Sequence, residues 1–371
     1  MILEFGEFLV NVFYTIVNML NSTSVWMVVS FGTAGIARAY LNPERMRKSS
    51  IGSTKLSGIL WTTFAGTAVP ICSCGSTPLG VSLYYSGAYL GPTLAFMTST
   101  PVLNPVAIIL TWGLLGKEVA IINIAAGLIM PIIVGIIGNK FAGDELHLKD
   151  LPNETERKTL IFEEPTHFEK IKDGLKWSFT ELAVTISKYT VSGVLLAGVI
   201  IGSVPQSIIQ NYLGNPGFIT LFGITVVAAL MYVCAVGHIP MIAALVASGA
   251  SPGIAITFLM AGAATNIPEL LTIYKTIGKR AMLMFLVTIT VLSNVAGYIT
   301  NLLLVPGYTP ILDYDATSRT INTANKFIMV QPDWLQYTCS AILVAYALHA
   351  LYKQLKGEKA KGLPIREIMK R

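Results

Sequence analysis

Residues 69–78 read Val-Pro-Ile-Cys-Ser-Cys-Gly-Ser-Thr-Pro, and residues 233–240 read Val-Cys-Ala-Val-Gly-His-Ile-Pro. An offset of 162 positions places Cys72 on Cys234 and continues without a gap through residues 72–117 and 234–279. Twelve of the 46 aligned pairs are identical. Because these identities include Cys, Pro, Asn and Gly in register, and not only common apolar residues, they indicate an internal duplication.

The composition around this duplication is typical of an integral membrane protein. Of the 371 residues, 53% are hydrophobic and 12% are charged, whereas soluble domains carry about 25% charged residues. Apolar runs of about 18 or more residues recur along the chain, and each could cross a hydrocarbon layer of about 30 Å. Backbone groups in a membrane must pair with one another, so the runs predict helices. We therefore predict an all-α, polytopic membrane protein with two repeats that contain broken or short helices.

The pattern divides the chain into two membrane halves and several polar segments. The predicted parts are a first half (1–141, repeat core 52–140), a cytoplasmic linker (142–176), a second half (177–304, repeat core 214–302), an external loop (305–332), a last transmembrane helix (333–353) and a basic cytoplasmic tail (354–371). Residues 1–20 are expected to form an interfacial helix before a span at 22–41. Residues 56–73 are expected to be a further span, and 76–90 and 238–251 are short apolar pieces.

Basic residues predict how the halves are oriented. Residues 353–371 contain seven Lys or Arg and two Glu, which supplies +5 of the net charge of +6. Because positive loops stay in the cytoplasm, this tail and the basic loop 38–55 are expected there, beside membrane lipids. This confinement of the charge argues against nucleic-acid binding. If the short pieces cross the membrane, each half has five crossings and the second is inverted. If they do not, the halves have four crossings and run parallel; we favour inversion.

Helix-breaking residues occupy matching positions in the two halves. The first pair of breaks lies at 69–78 and 233–240, and the second pair at 98–105 and 262–269. Short, interrupted segments at equivalent points of inverted repeats indicate the binding site of a transporter. The residues assigned to the breaks are Gly75, Pro78, Pro101, Pro105, Gly237, Pro240 and Pro268.

These motifs resemble those of a known family. The box Pro-x-Cys-Ser-Cys-Gly-x-x-Pro, the box Ser-Thr-Pro-x-x-Asn-Pro and the stretch Phe258-Leu-Met-Ala-Gly-Ala-Ala-Thr-Asn-Ile-Pro268 are similar to those of the predicted permeases that include the methylarsenite efflux permeases. The resemblance covers about residues 25–350. It implies a prokaryotic inner-membrane permease but does not identify the substrate. The second half departs from the pattern, since Cys234 stands there without a second cysteine.

Three cysteines form a candidate substrate site. Cys72, Cys74 and Cys234 lie at the first pair of breaks, and thiolates favour soft partners such as trivalent arsenic or Cu(I). An equally weighted alternative is that these cysteines pack as small apolar residues. Cys339 lies outside the repeat, and packing is expected for it.

Polar residues at the second pair of breaks are further candidates for substrate binding. Asn104 and Asn266 are equivalent in the duplication, and their amides could cap the interrupted backbone or face the substrate. The hydroxyls of Ser99, Thr100 and Thr265 could contribute as well, or could instead join neighbouring helices.

His238 and Glu269 are titratable residues beside the breaks of the second half. Ionisable groups inside a membrane are functional candidates, so the pair could carry protons in an antiport step. Alternatively, Glu269 could lie near a membrane surface and be solvated.

The leading hypothesis is a secondary transporter that exports a small thiophilic species by alternating access. A membrane-embedded thiol enzyme, a sulfur-carrier partner and a passive channel are the alternatives. The sequence contains no phosphate-binding Gly-x-x-x-x-Gly-Lys-Ser/Thr motif, and we expect no cofactor and no resident metal. The expected partners are a small-molecule substrate and lipids, and a homo-oligomer is left open.

Overall fold

The computed structural model describes residues 2–40, 49–69, 73–147, 167–203, 217–230, 235–247, 250–304 and 332–355. These residues contain no strand, which confirms the predicted all-α fold. Fourteen helices occur in the described ranges: α1 (Ile2–Tyr40), α2 (Leu56–Ala68), α3 (Ser73–Tyr85), α4 (Leu90–Val102), α5 (Pro105–Leu115), α6 (Lys117–Phe141), α7 (His167–Trp177), α8 (Ala183–Ser203), α9 (Phe218–Leu230), α10 (Ala235–Ala247), α11 (Pro252–Ala264), α12 (Ile267–Thr276), α13 (Lys279–Leu304) and α14 (Asp333–Leu355).

Several helices are long and apolar enough to cross a membrane, as predicted. Among the described residues these segments are Val12–Ile36, Lys117–Phe141, Pro252–Thr276, Lys279–Leu304 and Asp333–Gln354. The helices α4 and α5 form a sixth span that is bent by 43° at its break. The expectation of a separate interfacial helix at 1–20 is wrong, because α1 continues through this region without an interruption.

The duplication is visible in the helix boundaries. Each helix from α9 to α13 begins 162 residues after its counterpart from α2 to α6. Hydrogen bonds repeat as well: Gly91 N–H donates to Asn139 Oδ1 at 2.8 Å, and Gly253 N–H donates to Asn301 Oδ1 at 2.7 Å. Because Asn139 and Asn301 lie beyond the segments that align in sequence, the structural repeat extends through α6 and α13. We call these ten helices the repeat domain.

Small residues allow the helices of each repeat to pack closely. A Cβ atom added to Gly297 of α13 would lie 1.9 Å from Thr257 Oγ1 of α11. The equivalent glycine of α6, Gly135, would place a Cβ 2.7 Å from Ile59 Cγ2 of α2. Neither approach is compatible with a larger residue, so glycine is required where these helices meet.

Helices α2 and α3 form a hairpin that enters and leaves at the same end of the repeat domain. Tyr89 N–H, just after α3, donates to Ile51 O, just before α2, at 3.1 Å. Each helix has 13 residues and is therefore about 20 Å long, which is less than the hydrocarbon thickness of about 30 Å. The segments 56–73 and 76–90 thus contain two short helices whose outer ends, before α2 and after α3, lie at the same end of the repeat domain.

One end of the repeat domain shows the directions of the equivalent helices. The carboxylate of Glu145 accepts hydrogen bonds from Arg280 N–H at 3.1 Å and Ala281 N–H at 2.6 Å. Glu145 therefore places the end of α6 beside the start of α13, and we call this the Glu145 end. Leu90, the first residue of α4, donates from its N–H to Leu146 O at 2.9 Å.

The end of α12 lies at the Glu145 end too. Tyr85 OH donates to Thr276 O at 2.6 Å, and its neighbour Tyr84 OH donates to Glu145 O at 2.9 Å. The segment α4–α5 therefore leads away from this end, whereas its counterpart α11–α12 leads towards it. Equivalent segments of the two repeats run in opposite directions.

Helices α1, α8 and α14 pack together as a three-helix bundle beside the repeat domain. Ser340 Oγ of α14 donates to Asn21 Oδ1 of α1 at 2.7 Å. Ser178, in the π-helical turn between α7 and α8, donates to Phe31 O of α1 at 2.5 Å. The bundle contacts the repeat domain through α1 against α3 and α8 against α12. It therefore covers the face on which α3 and α12 meet.

Candidate functional site

Helices α3 and α12 begin side by side, and each comes from a different repeat. Asn266, which caps α12, donates from Nδ2 to the hydroxyl of Ser73, the first residue of α3, at 3.1 Å. Both helices then run in parallel towards the Glu145 end, where Tyr85 contacts Thr276. Their first residues thus lie away from that end, at the α3–α12 interface.

A narrow, partly open pocket lies at this interface. It is lined by residues from three helices: Ser73 and Thr77 of α3, Ile186 and Thr190 of α8, and Asn266, Pro268, Glu269 and Thr272 at α12. The repeat domain provides one wall, and the three-helix bundle provides the other.

Glu269 is the acidic residue of this pocket, and it is 2% exposed. Its backbone N–H donates to Asn266 Oδ1 at 3.0 Å, and its Oε2 accepts from Asn266 Nδ2 at 3.2 Å. The other oxygen, Oε1, has no hydrogen-bond partner among the described residues. A buried carboxylate oxygen without a donor is costly when charged. This atom therefore favours a proton or a bound cation.

Two threonine hydroxyls beside Glu269 donate to backbone carbonyls. Thr77 lies beside the Glu269 carboxyl, but its Oγ1 donates to Ser73 O at 2.8 Å. Thr272 Oγ1 likewise donates to Pro268 O at 2.8 Å. Because their hydrogens are used, these two threonines can act towards other groups only as hydrogen-bond acceptors, through their oxygen lone pairs.

The equivalent interface between α5 and α10 has no counterpart of the Glu269 carboxyl or of the Ser73, Thr77 and Thr272 hydroxyls among the described residues. Asn104 repeats the cap of Asn266, because its Oδ1 accepts from Ala107 N–H at 2.8 Å. At the positions that the offset of 162 makes equivalent, the residues are apolar: Ala235 corresponds to Ser73, Ile239 to Thr77, Ala107 to Glu269 and Leu110 to Thr272. The duplicated framework thus carries two equivalent interfaces, of which one is polar.

Comparison with known proteins identifies the type of molecule. The family model described as a predicted permease, ArsP_1, matches residues 9–302. The chain belongs to this predicted permease family.

Several curated proteins are similar to the permease over most of their length. A UPF0718 protein of Methanocaldococcus jannaschii is 27% identical, with 78% of this chain and 95% of the relative covered. A Mycobacterium tuberculosis protein named as a candidate permease is 28% identical, with 70% of each chain covered. A Streptococcus mutans protein, named as a candidate subunit of a two-component membrane permease complex, is 24% identical, with 69% of this chain and 83% of the relative covered. No solved structure matches the permease significantly.

Family membership and the apolar helices establish the general class. The permease is a multi-pass protein of the cell membrane and a transporter, not an enzyme. The resemblance seen in the sequence motifs is thereby confirmed, although the relatives do not identify a substrate.

The cysteines predicted to bind substrate are only partly covered by the structure. Cys72 and Cys234 lie outside the described residues, and Cys74 belongs to the first turn of α3. Their role in substrate binding stays a prediction. Gly75 and Pro78 lie within α3, and Gly237 and Pro240 lie within α10, so helices continue through these positions.

The hydroxyl residues predicted at the second breaks do not line the Glu269 pocket and donate to the backbone of their own helices. Ser99 and Thr100 donate to Phe96 O at 3.3 and 2.8 Å, and a Cβ added to Gly66 of α2 would lie 2.0 Å from Ser99 Oγ. Thr265 Oγ1 donates to Ala261 O at 2.6 Å. Their role in substrate binding stays a prediction.

Asn266 and Glu269 both line the pocket, whereas His238, which was expected to act with Glu269, is not among its lining residues. His238 is half-buried on α10, and its ring lies 6.0 Å from that of Phe258. Among the breaks, Pro101 lies inside α4, Pro105 begins α5 and Pro268 is the second residue of α12.

Sequence reasoning missed five residues of the pocket: Ser73, Thr77, Ile186, Thr190 and Thr272. Three of them carried a local signal. Ser73 and Thr77 are four positions apart and Thr272 follows Glu269 by three, so each set shares a helix face. No local signal exists for Ile186 and Thr190, because α8 lies outside the repeat.

Proposed function

We propose that the permease is a secondary transporter that exports a small thiophilic species, such as a trivalent organoarsenical, by alternating access. The observation that carries this proposal is the buried carboxyl of Glu269, placed where interrupted helices from both repeats meet. Interrupted helices of duplicated transporters hold substrate and coupling ions in this way. The thiophilic substrate is suggested by sequence, since Cys72 and Cys74 flank Ser73 of the pocket.

The repeats are proposed to be inverted with respect to the membrane. The opposite directions of α4–α5 and α11–α12 support this arrangement. We propose that α2 and α3 form a re-entrant hairpin, so that the first half crosses three times, by α1, α4–α5 and α6. An odd number of crossings inverts the second half relative to the first.

The Glu145 end is proposed to face the cytoplasm. The exposed basic residues Lys140, Lys275, Lys279 and Arg280 lie close to this end. At the opposite end, between α5 and α6, Lys117 is followed directly by Glu118. Positive charge therefore concentrates at the Glu145 end, as the positive-inside rule requires of a cytoplasmic surface. A fluorescent protein fused to the C-terminus should fold and fluoresce, and a periplasmic reporter there should be inactive.

Alternating access is proposed to move the three-helix bundle relative to the repeat domain. Ile186 and Thr190 of α8 close the pocket against Glu269 and Thr272 of α12. Displacement of α8 would expose the carboxyl, and its return would bury the carboxyl again. Because a buried carboxyl strongly prefers to be neutral or paired, binding and release of a proton at Glu269 would couple to this motion. His238 remains a second candidate for proton transfer.

Flux into proteoliposomes tests the proposal. Purified permease should move methylarsenite saturably, and an imposed proton gradient should drive its accumulation. Glu269→Gln should abolish the response to the gradient, whereas Glu118→Gln, which alters an exposed carboxylate of α6, should retain it. Absence of flux for any thiophilic species would refute the substrate. Flux that neither saturates nor responds to a gradient would instead indicate a channel.

A further inference from the structure

We propose that the Glu269 pocket also binds Na⁺ when the carboxyl is deprotonated. This inference rests on the proposed function, because it names a second ion for the same site. It is argued from the hydrogen-bond roles of the pocket atoms, which determine what kind of ligand they can accept.

Three polar side chains at the Glu269 carboxyl already use their hydrogens as donors. Asn266 has two amide hydrogens on Nδ2, and it donates to Ser73 Oγ and to Glu269 Oε2. The hydroxyl hydrogens of Thr77 and Thr272 go to the backbone carbonyls of Ser73 and Pro268. These side chains therefore have no hydrogen left for an anionic or carbonyl ligand.

The start of α12 does not form an anion site either. Free N–H groups in the first turn usually make a helix N-terminus attractive to anions. In α12 the second residue, Pro268, has no N–H, and the third, Glu269, donates its N–H to Asn266 Oδ1. Glu269 also adds a negative charge to this first turn. Both features oppose the binding of an anion.

The groups that remain available are oxygen atoms, of which the hydroxyls of Ser73 and Thr190 still carry a hydrogen. Glu269 Oε1 has no partner among the described residues, and the threonine oxygens Thr77 Oγ1 and Thr272 Oγ1 keep lone pairs. Ser73 Oγ, which accepts from Asn266, also faces this narrow pocket with Thr190 of α8. Carboxylate and hydroxyl oxygens suit hard cations and not soft metals.

The charge of the pocket selects a monovalent cation. Glu269 supplies one negative charge and is itself 2% exposed, so a divalent ion at its carboxylate would leave one positive charge uncompensated in a poorly solvated place. Na⁺ neutralises the carboxylate and can coordinate several neutral oxygens at once. The α5–α10 interface has Asn104 but replaces the other oxygens with Ala235, Ile239, Ala107 and Leu110. The permease should therefore bind one Na⁺ per chain, although its framework is duplicated.

Equilibrium binding of ²²Na⁺ to the purified, full-length permease in detergent tests the proposal, with choline chloride holding the ionic strength constant. We expect saturable binding of one ion per chain, which unlabelled Na⁺ displaces and K⁺ displaces poorly. Glu269→Gln should abolish binding, and Thr77→Val or Thr272→Val should weaken it by at least about tenfold. Thr111→Val is the matched control: this buried threonine of α5 donates to Ala107 O at 2.7 Å, and its loss should leave Na⁺ affinity unchanged.

Each outcome distinguishes the ion from the transported substrate. Unchanged ²²Na⁺ binding in Glu269→Gln, with a single peak in gel filtration, would overturn the assignment of the site. Absence of ²²Na⁺ binding in a wild-type protein that still transports methylarsenite with protons would also overturn it, but would leave the proposed function intact. Saturable Na⁺ binding without methylarsenite flux would support the Na⁺ site and refute the substrate.

Discussion

Replacing Asn266 with Ala should destabilise the permease much more than the equivalent change at Asn104. Asn104 makes one capping hydrogen bond, to Ala107 N–H at 2.8 Å. Its loss should cost about 1 kcal/mol. Asn266 makes the same cap to Glu269 N–H and also donates to Ser73 Oγ and Glu269 Oε2. With about 1 kcal/mol for each hydrogen bond, Asn266→Ala should cost about 3 kcal/mol.

Substitution with Ser separates the cap from the pocket contacts without burying a charge. Asn104→Ser keeps a capping oxygen, because a serine hydroxyl caps a helix about as well as an amide, so its cost should stay below about 0.5 kcal/mol. Asn266→Ser keeps the cap but loses both Nδ2 donations. This variant should therefore lose about 2 kcal/mol.

The free energy of unfolding can be measured for all four variants by SDS titration in dodecylmaltoside micelles, with tryptophan fluorescence as the signal. Wild-type protein and gel-filtration profiles serve as controls for folding. Equal losses for the two Ala variants would refute the reasoning, because they would show that the contacts of Asn266 with Ser73 and Glu269 contribute nothing to stability.

Three further predictions concern single residues. Cys72→Ser should abolish methylarsenite flux in proteoliposomes, whereas Cys339→Ser, a buried cysteine of α14, should transport normally; equal flux in both would contradict the thiol site. Gly297→Ala should cost about 1–3 kcal/mol because its Cβ would lie 1.9 Å from a threonine oxygen of α11. Gly223→Ala, with no atom within 4 Å, should not destabilise the protein, and matching losses in SDS titration would be inconsistent with this packing. Glu145→Ala should cost about 1–2 kcal/mol, since it removes the acceptor for two N–H groups of α13; added salt should reduce the difference from wild type.

Some of the fold could be predicted because the membrane interior restricts which secondary structures a chain can adopt. An apolar run must satisfy its own backbone, and only helices do this within one segment. The offset of 162 also predicted the duplication, which the helix boundaries repeat from α2 to α13. The caps of α5 and α12 were accessible too, since Asn104 and Asn266 each precede a helix start that contains proline.

The route of the short segments could not be predicted from composition. A run of 13 apolar residues can belong to a bent span or to one arm of a hairpin, and hydropathy is the same for both. The hydrogen bond between Tyr89 and Ile51 favours the hairpin. Counting both α2 and α3 as crossings gives five crossings per half, and counting α2 alone gives four. The directions of the helices become visible through the contacts of Glu145 with α13 and of Tyr85 with Thr276.

The sequence alone determined that this protein is a duplicated bundle of membrane helices with Asn266 and Glu269 at an interruption, because helix formation, capping and repetition are local properties of the chain. Tertiary structure decided that Glu269 meets Ser73 and Thr77 from the other repeat, and that α8 closes the pocket. These residues are far apart in sequence, and the α5–α10 interface has the same helix pattern without the polar group. The position of the site is therefore a property of how the helices pack, which no single segment encodes.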